Sequence, residues 1–215
     1  MAKAASFTAA PAGPLDAKLM SWGAGEIMYR VHDAVYAVDS FNPSKLGNAR
    51  FSPIRDSAGD VIPTLYAATT PQGALMETVF HDVPYKPGFK RVSVSRLEGK
   101  LSSTLVFLSD FELIDLGKIG LRRLGVHPHS LIDTTKAHYP ETRKWAESLY
   151  AAYPQAQGLI WPSRQDDRAR AVVLFGTRVG APELRPAGIS IPLMENGVVH
   201  EVAKALATDL KVLIE

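Results

Sequence analysis

The stretch from residue 65 to 84, LYAATTPQGALMETVFHDVP, constrains this chain most, because it commits the chain to a strand that turns directly into a helix. Thr64-Leu65-Tyr66-Ala67 is a short apolar run suited to a buried strand, and Thr69-Thr70-Pro71 ends it. Thr70 can accept from the first free N–H groups of a helix, and Pro71 fits the first helical position, where a missing N–H costs nothing. Thr69 as the cap would instead put Gln72 three residues on, the spacing of a capping box. Both alternatives start a helix near residue 71. At about 100° per residue, Leu75, Met76, Val79 and Phe80 share one arc, and Gly73, Glu77 and His81 lie along its edge. Glu77 then has two readings. It is a solvated carboxylate paired with His81 four residues on, or an active-site carboxylate at a cleft edge, with Tyr66 facing the same space.

A chain of 215 residues with 46% hydrophobic content can bury one full core. The expected division is an arm over 1–25, a body over 26–180 and an extension over 181–215. A net charge of +2 is too mild to indicate nucleic acid and is compatible with an anionic small molecule or an acidic partner. The absence of cysteine excludes disulfides and thiolate metal sites and fits a reducing cytoplasm. No apolar run approaches the roughly 18 residues of a membrane helix. The opening MAKAASFTAAPAGPLDAK has no sustained apolar block, so it reads as a loose arm rather than a signal peptide.

Further along, Glu26–Val31 alternates as a strand that sends Ile27, Tyr29 and Val31 one way and Met28 and Arg30 the other. An arginine among apolar strand residues either reaches solvent from an edge or needs an anion. Residues 40–64, rich in Gly, Pro, Ser and Asn, predict a long loop with one brief strand at Ala49-Arg50-Phe51. Arg50 together with Arg30, ahead of Tyr66 and Glu77, suggests an anion clamp beside a carboxylate, since guanidinium forks suit phosphate oxygens. Strands are expected at Lys90–Ser95, Ser103–Leu108 and Phe111–Leu116, then helical segments at Gly117–Gly125 and Glu141–Tyr153. His127 and His129 flank a proline, which argues against a metal pair on one helix face. Gly158–Ser163 and Ala171–Phe175 read as buried strands, and Ser163 with Asp166 matches a capping pattern. Asn196–Glu215 closes the chain as an amphipathic helix that packs on the domain or serves a partner.

No phosphate-binding glycine loop, dinucleotide fingerprint, nucleophile elbow or H-E-x-x-H motif is present. What remains is an order of short motifs: Tyr29-Arg30; Asn42-Pro43, then Gly47-Asn48-Ala49-Arg50-Phe51-Ser52-Pro53; Leu65-Tyr66-Ala67 with Ala74-Leu75-Met76-Glu77-Thr78 and His81; and Gly158-Leu159-Ile160-Trp161-Pro162-Ser163. In this order they resemble the RES domain family, named for an arginine, a glutamate and a serine, here Arg30 or Arg50, Glu77 and Ser163. The resemblance covers roughly residues 27 to 176.

That resemblance implies an α+β fold, a single domain similar to ADP-ribosyltransferases with a mixed β-sheet core and flanking helices. It implies the toxin of a bacterial toxin–antitoxin pair acting on NAD as substrate without a metal, by hydrolysis, phosphorolysis or ADP-ribosyl transfer to a protein. It also implies an antitoxin partner with an Xre-type helix-turn-helix domain that covers the active site. Catalytic roles then fall to Glu77, Arg30 and Ser163, and binding roles to Arg30, Arg50, Tyr66 and Ser163. Cleavage of the nicotinamide–ribose bond develops positive charge on the ribose, which a carboxylate such as Glu77 stabilises. Arg30 and Arg50 suit the pyrophosphate, Tyr66 the nicotinamide ring and Ser163 the ribose next to it. Water, phosphate and a protein side chain all remain open as acceptors. A different class, a binding module in which Arg, Glu and Ser are structural, stays beside the enzyme reading.

Overall fold

The strand-to-helix step forms at the expected residues, with Thr70 rather than Thr69 as the cap: its hydroxyl accepts from Gly73 N at 2.9 Å, and Pro71 opens the helix. Thr69 serves elsewhere, its hydroxyl accepting from Arg170 N. The computed structural model describes residues 13–195 and 197–215. The first half contains strands β1 (Leu19–Trp22) and β2 (Ile27–Asp33), the hairpin β3 (Ile54–Arg55) and β4 (Val61–Ile62), then β5 (Thr64–Ala68) and helix α1 (Pro71–Met76). Strands β6 (Lys90–Val92), β7 (Lys100–Phe107) and β8 (Phe111–Asp115) lead to helices α2 (Lys118–Arg123), α3 (Pro128–Leu131) and α4 (Tyr139–Ala152). The chain ends with β9 (Gly158–Pro162), β10 (Arg170–Phe175), β11 (Leu184–Pro186), β12 (Ile191–Pro192), α5 (Val198–Asp209) and β13 (Val212–Ile214).

The main sheet runs β1-β8-β9-β10-β5-β2-β7-β11, with β12 also on β7. Its β8–β9 pair is parallel and its other pairs are antiparallel. This is the mixed sheet with flanking helices expected of the α+β class. Leu159, Ile160 and Trp161 of β9 and the apolar run of β10 are buried on both faces, which explains their unbroken apolar sequence. On one face Trp145 and Leu149 of α4 pack over Leu159, Trp161 and Val173; on the other, Ile160 and Val172 meet Met28 and Leu65. A third cluster joins Leu75 and Met76 of α1 to Ala203 and Ala207 of α5, so the closing helix packs on the domain itself.

Between β5 and β2 the sheet opens. Tyr29 and Ala68 are the sole registered pair of these strands, whereas β2 and β7 stay in register from Ile27 to Asp33. Antiparallel pairing continued by one and two residues would set Arg30 against Ala67 and Val31 against Tyr66. Those four residues line a cavity instead.

Several expectations are corrected. The loose arm is ordered where it is described: β1 forms the edge strand on β8, Ala17 is buried, and Lys18 pairs with Asp115 at 2.9 Å. The first twelve residues of that arm lie outside the described residues. Helix α1 stops at Met76 because the N–H groups of Thr78, Val79 and Phe80 all converge on Leu75 O, which breaks the regular ladder; the Val79 and Phe80 side chains still reach the core. The brief strand at residues 49–51 is a single bridge between Ala49 and Ser52, and the loop holds the hairpin β3–β4 instead. The strand expected to Ser95 ends at Val92, since the Ser93 hydroxyl caps a single helical turn. The closing helix ends at Asp209: Lys211 adopts a positive φ of 53°, and Val212–Ile214 pairs in parallel with Lys90–Val92. Among the described residues no helix is long and apolar enough to cross a membrane.

Gly73 fixes the seat of α1 against the sheet. A Cβ there would lie 2.6 Å from the Ala169 Cβ and 3.3 Å from the Ala68 Cβ, neither of which can swing aside. Gly73→Ala should therefore lower the urea midpoint, at a cost of about 1–3 kcal/mol from overpacking. Helix propensity alone predicts a gain of about 1 kcal/mol; a raised midpoint would show that α1 is not seated against Ala169.

Candidate active site

The cavity in the sheet gap has a volume of about 280 Å³. Arg30 and Val31 come to it from β2, Tyr66 and Ala67 from β5, Glu77 from the C-terminal end of α1, and Arg50 from the preceding loop. Four of the residues singled out from sequence, Arg30, Arg50, Tyr66 and Glu77, thus share one hollow although they are separated along the chain.

Arg30 is held by neutral groups, its Nη1 donating to Val38 O and to Ser40 O at 2.5 and 2.9 Å. Burial pushes its pKa down to about 10, and Asp39 opposes that fall. Arg50 is 6% exposed and donates to Thr134 Oγ1 at 2.9 Å and to Leu131 O at 3.4 Å, with its guanidinium 5.2 Å from the Tyr139 ring centre. Burial lowers its pKa too, against the pull of Tyr139, Glu77 and Tyr66. Among the described residues neither arginine has a carboxylate salt-bridge partner, so both are desolvated cations facing a hollow. An anion placed there would recover much of the lost solvation.

Tyr66 forms one wall. Its hydroxyl accepts from Phe51 N at 3.0 Å, and its ring meets Trp161 edge-on with centres 6.2 Å apart. Burial raises the phenol pKa, so the hydroxyl keeps its proton. Through this bond Tyr66 also fixes the loop that carries Arg50.

Ser163 does not line the cavity but stands behind Glu77. Its Oγ donates to Glu77 Oε1 at 2.6 Å and accepts from Gln165 N and Asp166 N, both at 3.1 Å. The Ser163 hydroxyl stabilises a turn rather than capping a helix, since no helix follows and Ser163 N donates to Ala169 O, and the hydroxyl proton is committed to the carboxylate. Ser163 thus contacts Glu77 rather than lining the hollow itself. Nor does His81 pair with Glu77, because its Nδ1 lies 2.9 Å from Asp82 Oδ1.

A cluster that sequence reasoning missed sits at the rim. Asp82 accepts from His81, from Arg96 Nη2 at 2.8 Å and from Lys136 Nζ at 2.9 Å. Burial opposes its ionisation, but the hydrogen bonds from Lys136, His81 and Arg96 outweigh that and hold the carboxyl well below the usual carboxylate range. The adjacent His81-Asp82 pair was visible in sequence; Arg96 and Lys136, from distant segments, carried no such signal. Of the lining side chains, Arg30, Arg50, Arg96 and Lys136 are cationic, whereas only Glu77 and Asp82 are acidic, so the hollow is set for an anionic ligand.

Two further cavities adjoin it. One of about 410 Å³ shares Arg30, Val31, Asn48, Ala49 and Tyr66, and one of about 290 Å³ shares His81, Asp82, Lys136 and Tyr139. A ligand longer than the central hollow can thus extend past Arg30.

A chain in the crystal structure of the M. tuberculosis MbcT–MbcA toxin–antitoxin complex, the MbcT toxin, shares the fold with a TM-score of 0.60 at 14% identity, over 89% of this chain and 91% of that one. No curated protein matches the chain. The family model described as RES domain matches residues 27–193, the span holding Arg30, Arg50, Tyr66, Glu77 and Ser163. The chain belongs to the RES domain family.

Proposed function

We propose that this protein is the toxin of a bacterial toxin–antitoxin pair acting in the cytoplasm, and that it cleaves the nicotinamide–ribose bond of NAD. The observation that carries this reading is the single hollow in which Glu77 faces two buried guanidinium groups without carboxylate partners. NAD matches it chemically: a dianionic pyrophosphate for Arg30 and Arg50, and a ribose that turns cationic for Glu77. The MbcT–MbcA structure, a toxin–antitoxin complex, supports an antitoxin partner. Such a partner, with an Xre-type helix-turn-helix domain, would restrain the toxin by covering this cleft.

In the proposed reaction the two arginines fix the pyrophosphate, and the Tyr66 ring supplies a flat wall for the nicotinamide. As the C1′–N bond lengthens, nicotinamide leaves as a neutral base and positive charge spreads over the ribose ring. Glu77 stabilises that charge, and the bond from Ser163 to its Oε1 turns the other oxygen to the cavity. An acceptor oxygen then bonds to C1′. Hydrolysis or phosphorolysis destroys NAD directly; transfer to a protein side chain is the second reading, favoured by the open side cavity.

Antitoxin-free protein incubated with NAD, with and without inorganic phosphate, should release nicotinamide. Glu77→Gln should cut that release by about 10²–10³-fold and abolish growth inhibition while the melting temperature stays near the wild-type value. A fully toxic Glu77→Gln protein would remove Glu77 from the chemistry. Label from adenylate-tagged NAD on a protein band would select the transferase reading.

Ser163→Ala separates orientation from binding. Losing the bond to Glu77 should lower kcat about tenfold, the equivalent of roughly 1.4 kcal/mol, and leave KM for NAD within a factor of about two. A selective rise in KM would place Ser163 on the substrate instead.

A further inference from the structure

The Asp82–His81 pair at the rim has the geometry of an oriented base. Asp82, kept ionised, can only accept hydrogen bonds, so the His81 Nδ1 at 2.9 Å must carry the ring proton. This tautomer leaves the Nε2 lone pair as the acceptor. Nε2 lies 3.5 Å from the Tyr139 hydroxyl, a contact at the outer limit of a hydrogen bond, so a closer donor can take its place. The backbone is held as well, since Gln165 Nε2 donates to His81 O at 2.9 Å.

His81 also stands at a junction. It lines both the central hollow with Glu77 and the 290 Å³ side cavity bounded by Thr134, Lys136 and Arg164. The 410 Å³ cavity shares Arg30 with the central hollow and no lining residue with the 290 Å³ one. A dinucleotide with its reacting ribose at Glu77 and its pyrophosphate between Arg30 and Arg50 can extend into the cavity that Arg30 shares, while the 290 Å³ cavity, lined by neither arginine, is left to an acceptor.

Resting on the NAD-cleaving reading above, we propose that the side cavity is the acceptor's site and that His81 is the general base that takes the acceptor's proton. With water as acceptor, one O–H proton moves to Nε2 while the oxygen bonds to ribose C1′. The C1′–N bond breaks with its electron pair going to nicotinamide, which leaves neutral. The imidazolium returns the proton to solvent, so NAD⁺ and water give ADP-ribose, nicotinamide and one proton. The charged and titratable groups facing His81 are Asp82, Glu77 and Tyr85 from its own segment, Lys136 from the short turn before α4, Tyr139 from the first residue of α4, and Arg164 from the loop after β9; Arg96 reaches it through Asp82. Among the described residues Asp82 is the one carboxylate hydrogen-bonded to the ring, and it holds the tautomer that leaves Nε2 as an acceptor.

The test follows nicotinamide release from NAD in phosphate-free buffer against pH, using the full chain freed of antitoxin. Wild type should show kcat/KM falling on the acid side as imidazole is protonated. His81→Asn, which keeps a donor for Asp82, should lose that acid limb and about 10²-fold in kcat, with KM for NAD within about threefold. His81→Gly should regain activity in proportion to added imidazole, a readout that a merely structural histidine would not give. A flat acid limb in wild type overturns the inference even if no variant folds. Full activity in His81→Asn, or release that requires inorganic phosphate, whose anionic oxygen needs no base, overturns it while leaving NAD cleavage in place. No release from wild type under any condition overturns the NAD reading itself.

Discussion

Everything at this site depends on two neighbouring strands that decline to zip together. Between β2 and β5 one pair is in register, and the next residues along each strand turn their side chains to a hollow in the sheet. Three polar ties keep the gap from closing. Arg30 is drawn to the carbonyls of Val38 and Ser40, Tyr66 is fixed to the backbone of Phe51, and Arg50 is anchored to Leu131 and Thr134. Each tie joins a sheet edge or loop to a neutral partner, which satisfies part of a polar group and leaves the rest directed inward.

The electrostatic consequence is a site held at some expense to the fold. A guanidinium buried among carbonyls loses hydration that Asp39, without a salt bridge to it, offsets only in part, and the lowered pKa of Arg30, to about 10, registers that loss while leaving the group charged at neutral pH. Glu77 at the end of α1 and Asp82 at the rim are the two negative charges facing the four cations. Asp82 is already saturated by His81, Arg96 and Lys136, whereas Glu77 is held at one oxygen by a neutral hydroxyl. The two acids therefore differ in kind: Asp82 fixes the rim, and Glu77, held through one oxygen, lines the hollow.

What could be read from the chain was local. The Thr70-Pro71 helix start, the alternation of β2 and the double-sided burial of β9 and β10 are each dictated within a few residues, and the motif order around Arg30, Arg50, Tyr66 and Glu77 carried the family. Contacts between distant segments were not legible. Ser163 meets Glu77 across 86 positions of sequence, and its local surroundings point only to a turn or a cap, of which the turn forms. Lys136 and Arg96 converge on Asp82 because of the fold, and Val212–Ile214 left the helical pattern because the backbone of Lys90–Val92 offered it a partner. The edge strand at Leu19–Trp22 was hidden for the same reason: pairing with β8, rather than its own composition, orders it.

The most direct test of the central claim is a crystal structure of the antitoxin-free protein with a non-cleavable NAD analogue. The account predicts pyrophosphate oxygens within hydrogen-bond distance of the Arg30 and Arg50 guanidinium groups and the nicotinamide-side ribose against the Glu77 carboxylate. A dinucleotide seated elsewhere, with the gap between β2 and β5 closed or filled by protein side chains, would contradict it.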